Sequence, residues 1–279
     1  MENEDSIRKA VRKVQLNILI KLDEVCNNNN LRYYLAFGTC LGALRHKGFI
    51  PWDDDIDVLM PYADAKKLIT LQRQFGEKYF VQSKETDPDY RSIAMRVRDE
   101  DTTCIEADEK DLKTHKGIYI DIYPYYECNP VKILRTIDIL RSNFLKVLVS
   151  NRPPVNHGGL LATVSKLILT YYTGNRRLRK IEELERKLSS VKGKEILDYY
   201  GYDVTLFTAI SYPKEWFGKP KKLEFEGRYF NGATEPEMYM KKRYGDFMKL
   251  PPIENQVVHH TYVILDPYKS YKEYEREYC

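Results

Sequence analysis

The stretch from Leu31 to Met60 constrains the fold more than any other part of this chain. Leu31 to Phe37 is apolar enough for a strand, Gly38 reads as a turn, and Thr39 to His46 has the spacing of a short helix. A second strand is predicted over Asp55 to Met60, where Asp55 and Asp57 alternate with Ile56 and Val58. Successive side chains of a strand point to opposite faces, so the two carboxylates share one face and the two apolar groups the other. Carboxylates placed in this way can share a hard cation. Magnesium prefers oxygen ligands and usually draws one or two from protein, leaving the rest to water and substrate phosphates.

Gly38-Thr39 stands seventeen positions before Asp55 and opens the predicted helix, so its backbone N–H groups can approach a phosphate. A solvated acidic loop is the competing reading of residues 53–57. Ile56, Val58 and Leu59 favour a strand instead, and the glycine and terminal glutamate of an EF-hand are absent. Asp53 and Asp54 are then left to surface positions or to positions behind the ligands. In Gly117 to Pro124, Ile118, Ile120 and Ile122 alternate with Tyr119, Asp121 and Tyr123. Asp121 is costly in so apolar a strand unless it is liganded; an edge-strand aspartate facing water is the alternative.

Elsewhere, Ile7, Val11, Val14, Ile18, Leu22 and Val25 mark one face of a long helix that ends at Asn27 to Asn30. A helix over Ala63 to Phe75 and strands over Tyr79–Gln82, Ser92–Arg98 and Gly117–Tyr123 follow. Val131 to about Tyr200 is helical in pattern, Lys222 to Phe230 reads as one strand, and Thr234 to Glu237 has capping-box spacing before a helix ending at Tyr244. This order predicts an α+β (mixed α/β) fold. A catalytic core over residues 1–130 is interrupted by a basic helical insertion over 131–205 and completed by 206–279.

Charge separates the insertion from the rest. Val131 to Lys180 carries ten Lys or Arg against the single acid Asp138, or +9, in a chain of net charge +4. That block suits an anionic acceptor or an anionic membrane face, and a solvated basic surface is the plainer alternative. It lacks the aromatic interleaving of a single-strand binding surface, so nucleic acid is not expected. Five scattered cysteines without a C-x-x-C pair indicate neither a disulfide framework nor a zinc site, which fits a cytoplasmic protein. The first twenty residues have no signal-peptide pattern, and the longest weakly charged run, Gly158 to Gly174, falls short of the ~20 apolar residues a span requires.

Arg45, His46 and Lys47 lie between the glycine turn and the acidic strand, so Arg45 and Lys47 are candidate phosphate ligands with Gly38 and Thr39. Helix-end surface charges are the alternative. Arg96 and Arg98 share a strand face and can offer forked donors to phosphate, or pair with Asp99 to Asp101. His259 and His260 are assigned structural roles.

The run Phe37-Gly38-Thr39-Cys40-Leu41-Gly42-Ala43-Leu44-Arg45-His46-Lys47-Gly48-Phe49-Ile50-Pro51-Trp52-Asp53-Asp54-Asp55-Ile56-Asp57 closely resembles the signature of the LicD family. Gly117 to Pro124 resembles its second block. Phe225-Glu226-Gly227 and Tyr244 to Pro252 resemble its C-terminal block. The resemblance implies a nucleotidyltransferase-like fold in which Asp55, Asp57 and Asp121 are catalytic and hold magnesium or manganese. Members of that family transfer phosphocholine from CDP-choline to surface glycans, so the resemblance implies a CDP-linked donor and a glycan or teichoic acid precursor as acceptor. CDP-choline is the expected donor, although the resemblance by itself does not fix it. The basic block suits an anionic or lipid-linked acceptor and a place at the inner membrane face. Asp121 would complete the metal site or accept the incoming hydroxyl's proton. A choline group needs aromatic faces with an acid nearby; Trp52, Tyr119 and Tyr123 are the candidate faces and Asp246 a candidate contact. Phe247 to Pro252 either covers the site or only stops a helix. Alternatives within enzymes are a CDP-ribitol or CDP-glycerol phosphotransferase and a nucleotidyltransferase making a CDP- or UDP-compound. An inactive scaffold of glycan assembly is the non-enzymatic one.

Overall fold

In the computed structural model, which describes residues 2–107, 109–152, 159–197, 209–258 and 260–278, helix α1 (Glu2–Asn28) turns its apolar stripe inward. Ile18, Leu19, Leu22 and Val25 on that stripe are sequestered from solvent. Asn30 takes a left-handed conformation just beyond the helix end, a conformation asparagine tolerates, and the chain turns back there.

Strand β1 (Tyr34–Leu35), helix α2 (Phe37–Arg45), strand β2 (Asp57–Pro61) and helix α3 (Tyr62–Thr70) follow. After them come β3 (Tyr79–Gln82), β4 (Met95–Asp99), β5 (Thr103–Glu106) and β6 (Tyr119–Glu127). The central sheet runs β1-β2-β6-β4-β3, which sets β2 beside β6. Asp121 N–H donates to Ile56 O at 2.9 Å across that junction, so the two aspartate-bearing segments are neighbours.

Helices α4 (Lys132–Ser150), α5 (Gly159–Tyr171) and α6 (Gly174–Ser189) come next, then β7 (Glu195–Leu197) and β8 (Ser211–Pro213). The chain closes with the hairpin β9 (Lys221–Phe225) and β10 (Arg228–Gly232), helix α7 (Pro236–Tyr244), strand β11 (Tyr262–Asp266) and helix α8 (Tyr271–Tyr278). β11 pairs antiparallel with β5. The architecture is mixed α+β, as the element order predicts. The chain divides into two compact units, one of residues 1–90, 95–123 and 216–279, the other of 91–94 and 124–215.

Several local expectations are corrected. The predicted strand over Leu31 to Phe37 shrinks to Tyr34–Leu35, because Phe37 takes a φ of 42° and begins α2. Phe37 N–H donates to the Tyr239 hydroxyl at 3.3 Å, which fixes the strained residue. Gly38 therefore lies inside the first helical turn rather than forming the turn. The single strand predicted over Lys222 to Phe230 is a hairpin: Glu226 and Gly227 have φ of 51° and 70°, the positive pair that two-residue turns require. The capping box at Thr234 does not form, since its hydroxyl donates to Lys219 O and α7 opens on Pro236. The helix predicted to reach Phe75 ends at Thr70, with a short 3-10 turn after it. Residues 195–197, predicted helical, are strand β7.

The sheet buries one charged side chain completely. Arg98 is 0% exposed; it donates to Gln82 Oε1 at 2.5 Å, Gly117 O at 2.9 Å and Glu109 Oε2 at 2.8 Å. Removing one member of such a network leaves desolvated partners behind. Arg98→Met should lower the unfolding free energy by about 3–5 kcal/mol, read from the urea midpoint at unchanged slope; a loss near zero would show that Arg98 is not a stabilising member of the core.

Candidate active site

The acidic segment is held by its backbone. From α1, Arg12 Nη2 donates to the carbonyls of Ile50, Pro51 and Asp53 at 2.8, 3.0 and 2.7 Å, and Gln15 Nε2 to Asp54 O at 2.8 Å. From α2, the Thr39 hydroxyl accepts from Asp57 N–H at 2.8 Å. A Cβ on Gly38 would overlap Asp53 Oδ2, so the absence of a side chain here leaves room for that carboxylate beside the helix. The hairpin turn secures the preceding loop: Glu226 Oε1 accepts from Phe49 N–H at 3.0 Å, and Lys47 O accepts from Glu226 N–H at 2.8 Å.

Asp53, Asp55 and Asp57 open on a cleft of about 640 Å³, with Asp121 on the adjoining strand. Burial pushes the Asp55 and Asp57 carboxyls well above the usual carboxylate range. Asp53 adds to this most among the charges on Asp55, and Asp55 and then Asp121 among those on Asp57. Burial also raises Asp121, against the pull of Arg96, whose Nε lies 2.9 Å from Asp121 Oδ1. Asp57 Oδ1 is buried and accepts no hydrogen bond from any described residue. A polar atom left in this state is destabilising unless a ligand satisfies it. Mutually repelling carboxylates around such an oxygen suit a hard divalent cation, which takes carboxylate oxygens and leaves positions for water and phosphate. Oxygens of Asp53, Asp54 and Asp55 also lie within 4.8 Å of one another. Asp54, however, is occupied by His260 Nδ1 at 2.9 Å and the Tyr262 hydroxyl at 2.8 Å, so Asp53 is the closer companion of Asp55 and Asp57. Asp53 thus faces the cleft, whereas its sequence context leaves it outside the ligand set.

Of the residues predicted from sequence, Gly38, Arg45, Trp52, Asp55, Asp57 and Asp246 come together at the cleft. Arg45 also clamps the C-terminal segment, donating through Nη1 to Phe247 O at 2.8 Å, and residues 246–252 form much of the opposite wall. Thr39 is buried and spends its hydroxyl on Asp57 N–H; a side-chain contact to phosphate is not open to it in this arrangement. Tyr123 packs edge-to-face on Phe37 at 5.2 Å, and burial together with the charges of Asp121, Asp57 and Asp55 raises its hydroxyl's proton affinity.

Four predicted residues stand elsewhere. Lys47 is exposed with a φ of 61° and does not line the cleft. Arg98 is enclosed in the core and cannot reach a phosphate. Arg96 pairs with Glu106 at 3.1 Å, Glu109 at 2.8 Å and Asp121, rather than with Asp99 to Asp101. Tyr119 lies under the Arg96 guanidinium at 3.7 Å and donates to Glu106 Oε1, so its face is not available to a choline group. The alternation correctly gave the shared face of these side chains; their acidic partners Glu106 and Glu109 come from β5 and the loop after it, which no period reveals.

Sequence reasoning missed Arg12, Gln15, Arg243 and His260. Arg243 lies over the Phe37 ring at 4.2 Å and its charge favours ionised Asp57. His260, assigned a structural role, sits 2.9 Å from Asp54 and is pushed up to about 9 by that hydrogen bond. The available signals were the polar Gln15 on the apolar face of α1 and the basic run Lys241-Lys242-Arg243 before Tyr244-Gly245. His259 lies outside the described residues.

Two outcomes follow from these charges. Because the His260 value is raised from 6.5 to about 9, its pairing with Asp54 contributes fully below 6.5 and is lost as pH rises through about 9. Thermal stability in EDTA should therefore fall across that window, and His260→Asn should flatten the decline; an unchanged slope would remove the pair from the balance. Asp57→Asn deletes one repelling charge, so without metal it should melt about 2–4 °C higher while losing most of the stabilisation by magnesium. Scanning fluorimetry with EDTA or magnesium reads both effects, and a lower melting point in EDTA would contradict the repulsion.

Comparison with known proteins adds independent information about this cleft. Residues 30–145 match the family described as LicD/FKTN/FKRP, nucleotidyltransferase domain. The chain is 30% identical over 259 residues to the lipopolysaccharide cholinephosphotransferase LicD of Haemophilus influenzae, covering 88% of this chain and 93% of that protein. An uncharacterized protein of Rickettsia prowazekii is 39% identical over 78 residues, 28% of this chain and 29% of its own. One from Rickettsia typhi is 41% identical over 72 residues, 26% and 23% of the two chains. The matched segment 30–145 contains Gly38, the acidic run and Asp121, and with similarity extending over most of both chains in the Haemophilus comparison, this chain belongs to the LicD family.

Proposed function

We propose that this chain transfers phosphocholine from CDP-choline to a hydroxyl of a cell-surface glycan of the lipopolysaccharide or teichoic acid class, releasing CMP, with magnesium or manganese at the carboxylates. The observation that carries the reading is the similarity, across 88% of this chain, to a lipopolysaccharide cholinephosphotransferase. The cleft supports it chemically. A quaternary ammonium makes no conventional hydrogen bonds and is held by aromatic faces with negative charge nearby. Trp52, Tyr244 and Phe247 line the same cleft as Asp53 and Asp246, whereas the Phe37 ring is covered by Arg243. Tyr244 and Phe247 stand in that lining where the sequence reading had Tyr119 and Tyr123, neither of which lines it.

In the proposed reaction the acceptor oxygen bonds to the phosphorus bearing choline as the bond from that phosphorus to the oxygen of CMP breaks. CMP departs with the bonding pair, and the acceptor hydroxyl gives up its proton. Asp55 and Asp57 would hold the divalent ion, which when bound supplies positive charge to the diphosphate and the departing CMP. Arg45 lines the cleft and can meet phosphate oxygens while bracing Phe247. Asp121, raised by burial and oriented by Arg96, either completes the ligand set or takes the acceptor's proton. Holding both reactants in line, rather than covalent chemistry by the protein, would supply most of the acceleration.

Incubation with magnesium, CDP-choline and a lipopolysaccharide-type acceptor should release CMP and label the acceptor; pyrophosphate from CTP instead would favour a nucleotidyltransferase. CDP-ribitol and CDP-glycerol should protect against thermal unfolding less than CDP-choline does. Trp52→Ala should raise KM for the donor about tenfold, in line with loss of ~1–2 kcal/mol of cation–π attraction, with a smaller change in kcat. An unaltered KM would take Trp52 out of the head-group site.

A further inference from the structure

The helical unit of residues 124–215 carries aliphatic side chains where a water-soluble helix would carry polar ones. On α4, Ile133, Ile137 and Leu140 recur at the spacing of one helical face, with Ile133 65% and Leu140 54% exposed and Leu134 beside them. The opposite side of the same helix is already used: Ile139, Ser142, Leu145 and Val149 are buried. On α5, Val164, Leu167 and Tyr171 form a second stripe, with Leu167 66% exposed. Isolated exposed apolar residues are ordinary, but stripes on two neighbouring helices are not.

These stripes lie in the most basic part of the chain. Lys132 on α4, Lys166 on α5 and Arg176 and Arg179 on α6 are exposed. The Arg176 guanidinium lies over the Tyr171 ring at 4.6 Å, which joins an aromatic face to a cation at the edge of the α5 stripe. The surrounding segment from Val131 to Lys180 has ten Lys or Arg against one acid. A second copy of the chain would set like charges against each other. A nucleic acid would meet the cations but has no use for exposed isoleucine and leucine. A bilayer with anionic headgroups satisfies both features, taking aliphatic side chains at the acyl boundary, cations among the phosphates and tyrosine at the headgroup level. No helix among the described residues is long and apolar enough to cross a membrane, so any contact made by these helices lies in the interfacial plane.

We infer that the α4 and α5 stripes, with the cations around them, dock this protein peripherally on an anionic membrane surface. This stands on the surface of the helices and does not depend on the reaction proposed above. A membrane-held enzyme would meet acceptors carried on lipid by diffusion in two dimensions.

The test is flotation of the full chain with phosphatidylglycerol-containing vesicles and, separately, with phosphatidylcholine vesicles. The chain should float with the anionic vesicles, sink with the neutral ones, and detach as sodium chloride is raised. The double variant Ile133→Asp, Leu140→Asp and the single variant Leu167→Asp should each lose more than about tenfold in vesicle affinity. Lys166→Glu should lose at least about fivefold. All four positions are exposed, so the variants should keep the wild-type melting temperature and the wild-type rate of CMP release with a soluble acceptor. If that rate is zero in the wild type as well, the proposed reaction fails while flotation still decides the docking. Equal flotation with both vesicle types, or full binding by the apolar variants, would overturn the inference. So would a dimer in sedimentation that the α4 variant converts to monomer, which would assign the face to a second copy. Failure to bind either vesicle would overturn it in favour of an acidic protein partner.

Discussion

Burial raises the proton affinity of Asp55 and Asp57, the charges of Asp53 and Asp121 raise both further, and the surrounding structure is arranged against that repulsion. Only Asp57 is in β2; Asp55, expected on that strand, lies in the loop before it. Left to itself a segment carrying Asp53, Asp55 and Asp57 would move apart or stay solvated. It is held because the restraints act on backbone as well as on side chains. Arg12 and Gln15 grip carbonyls from Ile50 to Asp54, and the Thr39 hydroxyl takes the Asp57 amide. These contacts leave the Asp55 and Asp57 carboxylates free to face the cleft. Arg96 and Arg243 supply compensating charge from the flanks, Arg96 by direct contact with Asp121.

The roles of glycine and arginine follow from the same constraint. Gly38 has no side chain where Asp53 must lie, which explains its place in the motif better than a turn does. The positive φ that a turn would have required is carried by Phe37, tied by its amide to Tyr239. Arg96 and Arg98 do not reach for substrate phosphate; they neutralise Glu106 and Glu109 beneath the sheet and stack on Tyr119. Arg96 alone extends this network to Asp121. One guanidinium therefore links the folding core to the acidic cleft, whereas Arg98 belongs to the core alone.

The parts of this arrangement that could be read from sequence are those with a local period. Helix α1, the alternation of Asp57 with Ile56 and Val58, and the alternation around Asp121 all follow from side-chain spacing. The adjacency of the two aspartate-bearing strands does not, although the resemblance to a known family implied it. Backbone detail was less accessible. The Glu226-Gly227 turn was hidden inside an apparently continuous strand, because Glu-Gly is a weaker hairpin signal than the Asn-Gly or Asp-Gly that usually marks a two-residue turn. Partners supplied from distant segments were not accessible at all. Arg12 does not stand out from the other polar residues of α1 until the loop of residues 50–54 is laid across it. Gln15, four residues after Val11 and three before Ile18, instead falls on the apolar face itself, where a buried polar side chain calls for a partner. His260 shows the same limit from the other end, 206 residues from the Asp54 it binds.

This dependence on distant segments has a consequence for how the cleft comes to exist. Its floor comes from residues 37–57, but the far wall is residues 244–252, joined to the floor by Arg45 and Phe247 O. The loop leading into the acidic strand is fixed by Glu226, and Asp54 is turned aside by His260 and Tyr262. Asp54 still adds to the repulsion on Asp55, and the His260 charge opposes it. The C-terminal segment therefore does more than enclose a finished site. It engages one of the consecutive aspartates, while Asp53, Asp55 and Asp57 line the cleft. A substitution in β11 can thus alter the charge of the cleft without touching any residue that lines it.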